Sequence, residues 1–259
     1  MSLYIKYFSI HLKSQMQFKS SFFFTTLGQF LVAFVTLLSI NFMFARFDSV
    51  GGFTHEEVLL CFAIIMSAFS ISELIARGFD QFPNLIGNGG FDRALVRPRN
   101  VIFQVLASQM DFSRLGRLLQ AILVFIYVIP SSSIDWTLPR VITLALMIIC
   151  GGLLFFGLQV LYAALSFFTL EGLEFMNLLT HGAQEHGRLP FSVYGDGILK
   201  FLTFIVPLAL IQYYPLLFLL GREEAGIFHG IAPVMSLLFL LPCYACFKLG
   251  LKKYQSTGS

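Results

Sequence analysis

The amino-acid sequence predicts an all-α integral membrane protein with six transmembrane helices. Hydrophobic residues make up 57% of the 259 residues and charged residues only 12%, whereas soluble domains contain about 25% charged residues. Six stretches are long and nearly free of charge, and a run of about 18 such residues is a candidate transmembrane helix. The runs are continuously apolar and do not alternate as strands of a membrane barrel would.

The predicted spans follow one another with short outer connections and longer inner ones. They form a membrane domain over residues 22–247, which follows a cytoplasmic segment (1–21) and precedes a cytoplasmic tail (248–259). The spans lie near residues 22–44, 58–76, 117–134, 141–170, 199–213 and 228–247.

The basic residues predict the orientation. Six spans place both termini on one side, where fourteen Lys and Arg residues fall, against three on the other side: Arg46, Arg140 and Arg222. Basic residues accumulate in cytoplasmic loops, so we expect both termini in the cytoplasm. The same rule accounts for the net charge of +3 without a nucleic-acid partner.

The second span ends in an ionisable pair. Glu73 lies four residues before Arg77, so the two side chains share one helix face and form an ion pair across one turn. Ionisable groups inside a membrane often serve a function. Two interpretations remain at this point: an ion pair at the membrane surface, or a contact with a substrate.

The largest polar stretch, residues 77–117, joins spans two and three on the cytoplasmic side. Pro83 and the glycine-rich residues 87–90 mark turns. Apolar residues at helical spacing over 101–110 predict a short helix at the membrane surface, in addition to the one described next. A loop of this length with its own helices is usually functional, although a plain connecting loop remains an alternative.

A short helix lies in the middle of this stretch. It begins near Phe91 and ends before Pro98, because proline disfavours helix in the residue that precedes it. Phe91 and Leu95 are four residues apart and share one face, whereas Asp92 and Arg93 lie on its flank. The pattern predicts a small helix with one apolar face.

A second polar stretch, residues 171–200, is placed in the cytoplasm by the span assignment. Its candidate metal ligands are His181, Glu185 and His186. The two histidines are five residues apart, whereas ligands on one helix face are separated by three or four, and glycines interrupt the helix. A hydrated loop is therefore favoured over a metal site.

Prolines mark the fifth span. Pro207 lies inside it and Pro215 follows Tyr213 and Tyr214; proline removes a backbone donor and kinks or ends a helix. The chain over residues 214–227 is predicted to dip back as a re-entrant hairpin on the outer side, which membranes tolerate when the hairpin is buried in protein. Kinked ordinary helices are the alternative.

Nucleotide-binding and hydrolase motifs are missing from the sequence. It contains no GxxxxGK[ST] phosphate loop, no GxGxxG and no GxSxG, so no catalytic residue is predicted and any ATP must bind another chain. Three function classes remain: a transporter subunit, a membrane-embedded lipid-modifying enzyme, and a non-catalytic channel or assembly factor. Co-purification with an ATP-binding subunit would separate them.

Two segments resemble a known family. Residues 90–98, GFDRALVRP, are similar to the G-x-[LF]-D-x-x-L-x-R-P segment of bacterial ABC-2-type permeases. Residues 204–209, FIVPLA, followed by Tyr213, Tyr214 and Pro215, resemble the second motif of a branch with six spans and about 260 residues, encoded as paired permeases beside an ATPase. Gln212 stands where that branch often has Asn. The resemblance covers nearly the whole chain.

The resemblance implies a type V exporter-like permease in the bacterial inner membrane. An amphipathic N-terminal helix, a cytoplasmic coupling helix and an outer re-entrant hairpin are then expected. ATP and Mg²⁺ would bind two copies of a partner ATPase, and a second permease, identical or homologous, would complete the pathway in the lipid bilayer. The residues that the resemblance implies as ATPase contacts are Phe91, Asp92, Arg93, Leu95, Arg97 and Pro98.

Overall fold

The computed structural model describes residues 2–169, 174–223 and 225–255. Within these ranges five helical segments are long and apolar enough to cross a membrane, which confirms a helical, multi-pass membrane protein. The five segments are Lys19–Phe44, His55–Gly87, Phe112–Ser131, Leu138–Leu165 and Ile227–Lys253. The described residues contain no strand, only an isolated bridge between Val50 and Phe53.

The helices are numbered in chain order. They are α1 (Ser2–Met16), α2 (Lys19–Phe44), α3 (His55–Asp80), α4 (Phe82–Gly87), α5 (Gly90–Leu95), α6 (Val101–Leu106), α7 (Leu115–Ser131), α8 (Leu138–Leu165), α9 (Glu174–Asn177), α10 (Ala183–His186), α11 (Asp196–Phe204), α12 (Tyr213–Leu219), α13 (Ile227–Ser236) and α14 (Leu240–Lys253). A π-helical segment, Leu178–Gly182, joins α9 to α10.

Helix α3 forms the centre of the molecule. Every side chain from Val58 to Ser70 is buried, as expected for a helix that is apolar on all sides. Helices α7 and α8 pack against it. Helix α8 comes close because Gly151 faces Ala68, and a Cβ at Gly151 would lie only 2.9 Å from the Ala68 side chain.

Five predicted spans overlap the span-length helices. The first four overlap α2, α3, α7 and α8, and the sixth overlaps α13 and α14, which a short 3₁₀ turn joins. Helix α8 ends at Leu165; residue 170, the predicted end of the fourth span, lies outside the described residues, as do residues 171–173, 224 and 256–259.

Residues 181–194 follow a course that the sequence-based assignment did not predict. The His181 ring lies 5.2 Å from the Phe69 ring, at the middle of α3. Farther along the chain, Val193 lies against Gly51, in the loop before α3. The sequence-based assignment places Gly51 and Val193 on opposite sides of the membrane, whereas the structure brings them into contact, so the two placements cannot both hold. The polar side chains of residues 181–188 lower the apolar signal of this stretch.

Residues 196–219 enter the interior and return to the same end. Helix α11 begins just after Val193 and ends at Phe204, three residues before Pro207. The turn that follows is buried among side chains of α3 and α8. Helix α12 then leads back to Arg222, which donates a hydrogen bond to the Gly52 carbonyl at 3.0 Å. The hairpin therefore begins before the predicted bounds of 214–227 and overlaps them only in α12, and residues 199–213 form no continuous helix.

Gln212 fixes the tip of this hairpin. Its side chain is fully buried and donates to the carbonyls of Gly187 (3.2 Å) and Leu189 (2.8 Å). Its amide oxygen accepts a hydrogen bond from the Phe191 backbone at 3.3 Å. These bonds provide partners for buried backbone groups of residues 187–191, which are not part of a regular helix. Helix α12 starts directly afterwards, with Tyr213, Tyr214 and Pro215 in its first turn.

Candidate functional site

Three short helices, α4 to α6, build a compact platform at the end of α3, where α1 and the residue after α14 also make contacts. Helix α5 starts after Gly89, whose φ of 62° suits glycine. The Asn100 side chain caps α6 by accepting from the Ile102 backbone at 2.9 Å. Gln104 donates to the Ala94 carbonyl at 3.0 Å and to that of Arg99 at 3.1 Å, so the turn between α5 and α6 is fixed.

Phe91 lies inside the protein and not on its surface. It is fully buried, with ring centroids 4.9 Å from Phe82, 5.5 Å from Phe167 and 5.1 Å from Tyr254. The expectation that Phe91 contacts a partner directly therefore needs correction. Its apolar face meets aromatic rings from distant parts of the chain, which the local pattern does not reveal.

Asp92 ties the platform to the C-terminal end of α14. Its carboxylate accepts a hydrogen bond from the Tyr254 hydroxyl at 2.9 Å. Burial and this hydrogen bond raise the pKa of Tyr254, because both favour the neutral phenol. Asp92 thus acts within the chain, and its neighbours on α5 form the outer surface.

The outer face of the platform is apolar at its centre and basic at its edge. Leu95 is 38% exposed and Val96 is 83% exposed. Arg93, Arg97 and Pro98 are also exposed. Within the described part of the chain neither arginine forms an ion pair. This face, called the coupling face below, comprises residues 93 and 95–98.

Helix α1 supports the platform from the side. The His11 ring hydrogen-bonds the Ala107 carbonyl at 2.9 Å, and the Gln15 amide donates to the Met110 carbonyl at 2.6 Å. The Phe8 ring packs edge-on against Phe112 with centroids 4.8 Å apart. The segment that leads into α7 is therefore held by the N-terminal helix.

A buried charge cluster lies where the platform meets the spans. Glu73 is 1% exposed and accepts from Arg77 at 3.1 Å. Its second carboxylate oxygen lies 3.2 Å from Arg114 and 3.5 Å from Arg117, at the start of α7. The pair expected from the sequence is thus part of a larger network. The two further arginines are 41 and 44 residues away in sequence, so no local spacing could identify them.

The outer carboxylates and one amide complete this network. Arg77 pairs with Asp80 at 2.7 Å, Arg114 pairs with Asp111 at 3.1 Å, and Arg114 donates to Gln29 of α2 at 3.0 Å. Three acids and three arginines balance in charge. The cluster joins α2, α3 and α7 to the loop after α6.

Other candidate groups are arranged for packing. The His181 ring packs against Phe69, and the His186 ring lies 5.5 Å from the Tyr194 ring. No group of three or more His, Cys, Asp or Glu side chains in the described ranges is positioned to hold a metal ion.

We expect Phe91→Leu to destabilise the platform. The change removes three edge-to-face ring contacts and leaves a gap, which costs about 1–3 kcal/mol. Thermal unfolding of the detergent-solubilised protein measures the loss, with Val96→Leu at an exposed position as the control. An unchanged melting temperature for Phe91→Leu would contradict the buried placement.

Comparison with known proteins gives one family. A family model described as ABC-2 family transporter protein matches residues 30–258. The match includes the platform, the six charged residues of the cluster and the hairpin. No curated protein and no solved structure matches the chain.

Proposed function

Because the chain belongs to the ABC-2 transporter family and is a membrane subunit of an ABC transporter, we propose that it is the permease of an ATP-driven exporter. A separate ATPase subunit, in two copies, binds ATP and Mg²⁺. A second permease, identical or homologous, completes the translocation path. The coupling face carries this proposal, since it joins exposed apolar side chains to a rigid base.

The coupling face has the composition of a docking surface. Interfaces place apolar anchors at the centre and polar groups at the rim. Leu95 and Val96 supply the anchors, and Arg93 and Arg97 supply rim charges that attract acidic side chains. The fixed turn after α5 keeps these groups in place, so little ordering is needed on binding.

The charge cluster supports transmission of force from this face to the spans. Closure of two ATPase subunits moves the attached platforms, and a rigid-body shift of packed elements is an established form of switching. The Glu73 network links the platform to α2, α3 and α7 through short ion pairs. The membrane helices therefore respond to the platform as one body.

The course of residues 174–194 supports a sixth crossing. This stretch starts after α8 and reaches the loop before α3, and it leaves the hairpin 196–219 on the outer side. Both termini then lie in the cytoplasm. Arg188 then falls within this crossing and Lys200 on the outer side, which leaves twelve basic residues in the cytoplasm against four outside, so the positive-inside bias persists. The membrane is the bacterial inner membrane.

The function is tested by affinity purification of the tagged chain from cells that also express its ATPase subunit. We expect the ATPase to co-purify and its ATP hydrolysis to rise when this chain is present. A chain that purifies folded, without an ATPase and without an effect on hydrolysis, would contradict the proposal.

The topology is tested by cysteine labelling in intact cells with an impermeant reagent, in a Cys246→Ser background. We expect labelling of Asp196→Cys, because α11 begins on the outer side, and no labelling of Gln255→Cys at the cytoplasmic end. Asp135→Cys in the outer loop before α8 is the positive control. Labelling at 255, or its absence at 196, would refute this arrangement.

A further inference from the structure

In the topology proposed above, residues 178–194 place charged side chains at the depth of the membrane interior. The Gln184 amide lies 3.8 Å from the Met66 sulfur, and Gly187 lies against Ile65. Both contacts are ten or eleven residues into α3, which begins at His55. At 1.5 Å per residue this is about 15 Å from the outer end, close to the middle of a hydrocarbon layer about 30 Å thick.

Glu185 and Arg188 form an ion pair at this depth. The Glu185 side chain is 50% exposed and that of Arg188 is 22% exposed, and His186 is exposed beside them. Charged groups that face lipid at mid-bilayer are costly, so such groups normally face a bundle interior or a water-filled cavity. This face of the crossing therefore lines an aqueous or protein-enclosed space.

An apolar cavity lies beside this stretch; His186 and Tyr194 line it, whereas Glu185 and Arg188 do not. Its volume is about 240 Å³, and it lies between the 178–194 stretch and the hairpin. His186 and Tyr194 lie at its edge, and the Tyr194 hydroxyl donates to the His186 carbonyl at 2.9 Å. Apolar side chains form most of the lining, among them Leu179, Ala183, Phe191, Ile198, Phe201 and Leu208.

The backbone beside the cavity is irregular. Leu178–Gly182 is π-helical, and single π turns inside helices are frequent at functional sites. Farther along this stretch, the buried Gln212 side chain ties the hairpin tip to the carbonyls of Gly187 and Leu189. An apolar cavity with a few polar groups at one edge is the usual form of a site for a small molecule.

We propose, on the basis of the exporter function above, that this is a cargo site for an amphiphile with a zwitterionic head group. The apolar part occupies the cavity, the anionic group of the head binds Arg188, and its cationic group binds Glu185. The paired side chains carry no net charge, so they complement a head group that carries both signs and disfavour one that carries a single sign.

The test uses the purified complex of this chain with its ATPase in proteoliposomes. Three probes with matched acyl chains are compared as stimulators of ATP hydrolysis: lysophosphatidylethanolamine (zwitterionic), lysophosphatidylglycerol (anionic) and an alkyltrimethylammonium (cationic). We expect the zwitterionic probe to act at the lowest concentration, by about tenfold, as the loss of one ion pair implies.

Variants should then change the charge preference in opposite directions. Glu185→Gln should make the anionic probe the most potent, and Arg188→Gln should make the cationic probe the most potent. Lys200→Gln, a neutralised exposed charge on the neighbouring helix α11, should leave the order unchanged. A merely structural role for the pair predicts weaker complexes with the same order of potency, and that result would overturn the proposal.

Water access gives a second, independent measurement. Glu185→Cys should react with a charged methanethiosulfonate reagent in the assembled complex, whereas Ile149→Cys should not. Ile149 is 60% exposed and lies eleven residues into α8, so it is a control at matched depth. Equal, slow reaction at both positions would overturn the proposal. A wild-type chain that binds no ATPase would instead contradict the exporter function, so the two failures are distinguishable.

Discussion

Replacing Leu95 and Val96 together by aspartate is expected to release the ATPase subunit from the permease. Truncation of a buried interface anchor costs about 2 kcal/mol or more, which is roughly thirtyfold in affinity, and a buried, unpaired carboxylate adds to this cost. Both side chains are exposed in the chain itself, so its own core stays intact. The measurement is the amount of ATPase retained on the affinity-purified permease.

The controls for this experiment lie beside the substituted residues. Arg99→Ala removes an exposed charge beyond Pro98 and should leave retention unchanged, because a charge at the rim contributes little. The melting temperature of the double variant should equal that of the wild-type chain. If the double variant retains the ATPase as well as the wild type does, the coupling face is not the docking surface.

Replacing Glu73 by glutamine is expected to cause a large loss of stability at the end of the molecule that carries the platform. Removing one partner of a buried ion pair costs about 3–5 kcal/mol, because the remaining charge is left without compensation. Here Arg77, Arg114 and Arg117 all lie within 3.5 Å of the lost carboxylate. Thermal unfolding of the purified chain measures the loss.

Two further variants separate charge from packing at this cluster. Arg114→Gln added to Glu73→Gln should recover part of the stability, since fewer uncompensated charges remain. Glu57→Gln breaks the outer pair with Arg222, whose arginine side chain is 45% exposed, and should cost about 0–1 kcal/mol. A Glu73→Gln protein as stable as Glu57→Gln would show that the cluster contributes no net stability.

The architecture was predictable where one hydrophobic run forms one helix. Helices α2, α3, α7 and α8 follow long apolar stretches, whose length and lack of charge identify them. The short helix α5 was also predictable, since Pro98 sets its end and helical spacing places Phe91 and Leu95. These features depend only on residues close together in sequence.

The course of residues 174–219 was not predictable from apolar runs. Residues 201–220 are the more hydrophobic stretch, yet they form the buried hairpin, whereas the polar residues 181–188 lie beside the middle of α3. Hydropathy indicates whether a segment is stable in contact with lipid. It does not distinguish these two segments, because each of them is surrounded largely by protein. Only long-range contacts, such as that between Val193 and Gly51, distinguish the two.

Several residues of the site were predictable from the sequence, but most of their contacts with distant side chains were not. The sequence indicated the pair Glu73 and Arg77, while Arg114 and Arg117 join it from another helix. In the same way, Phe91 shares a helix face with Leu95 but contacts Tyr254, 163 residues later in the chain. Which face of a short helix is buried depends on tertiary neighbours that the pattern does not contain.

The central claim is that residues 95 and 96 contact the ATPase, and photo-crosslinking tests it most directly. A benzophenone amino acid replaces Val96 in the complete complex, and a second complex carries it at Asp135, in the loop between α7 and α8 and away from the platform. The account predicts a crosslinked band that contains permease and ATPase from position 96 and none from position 135. An intact, ATP-hydrolysing complex that gives no crosslink from position 96 would contradict it.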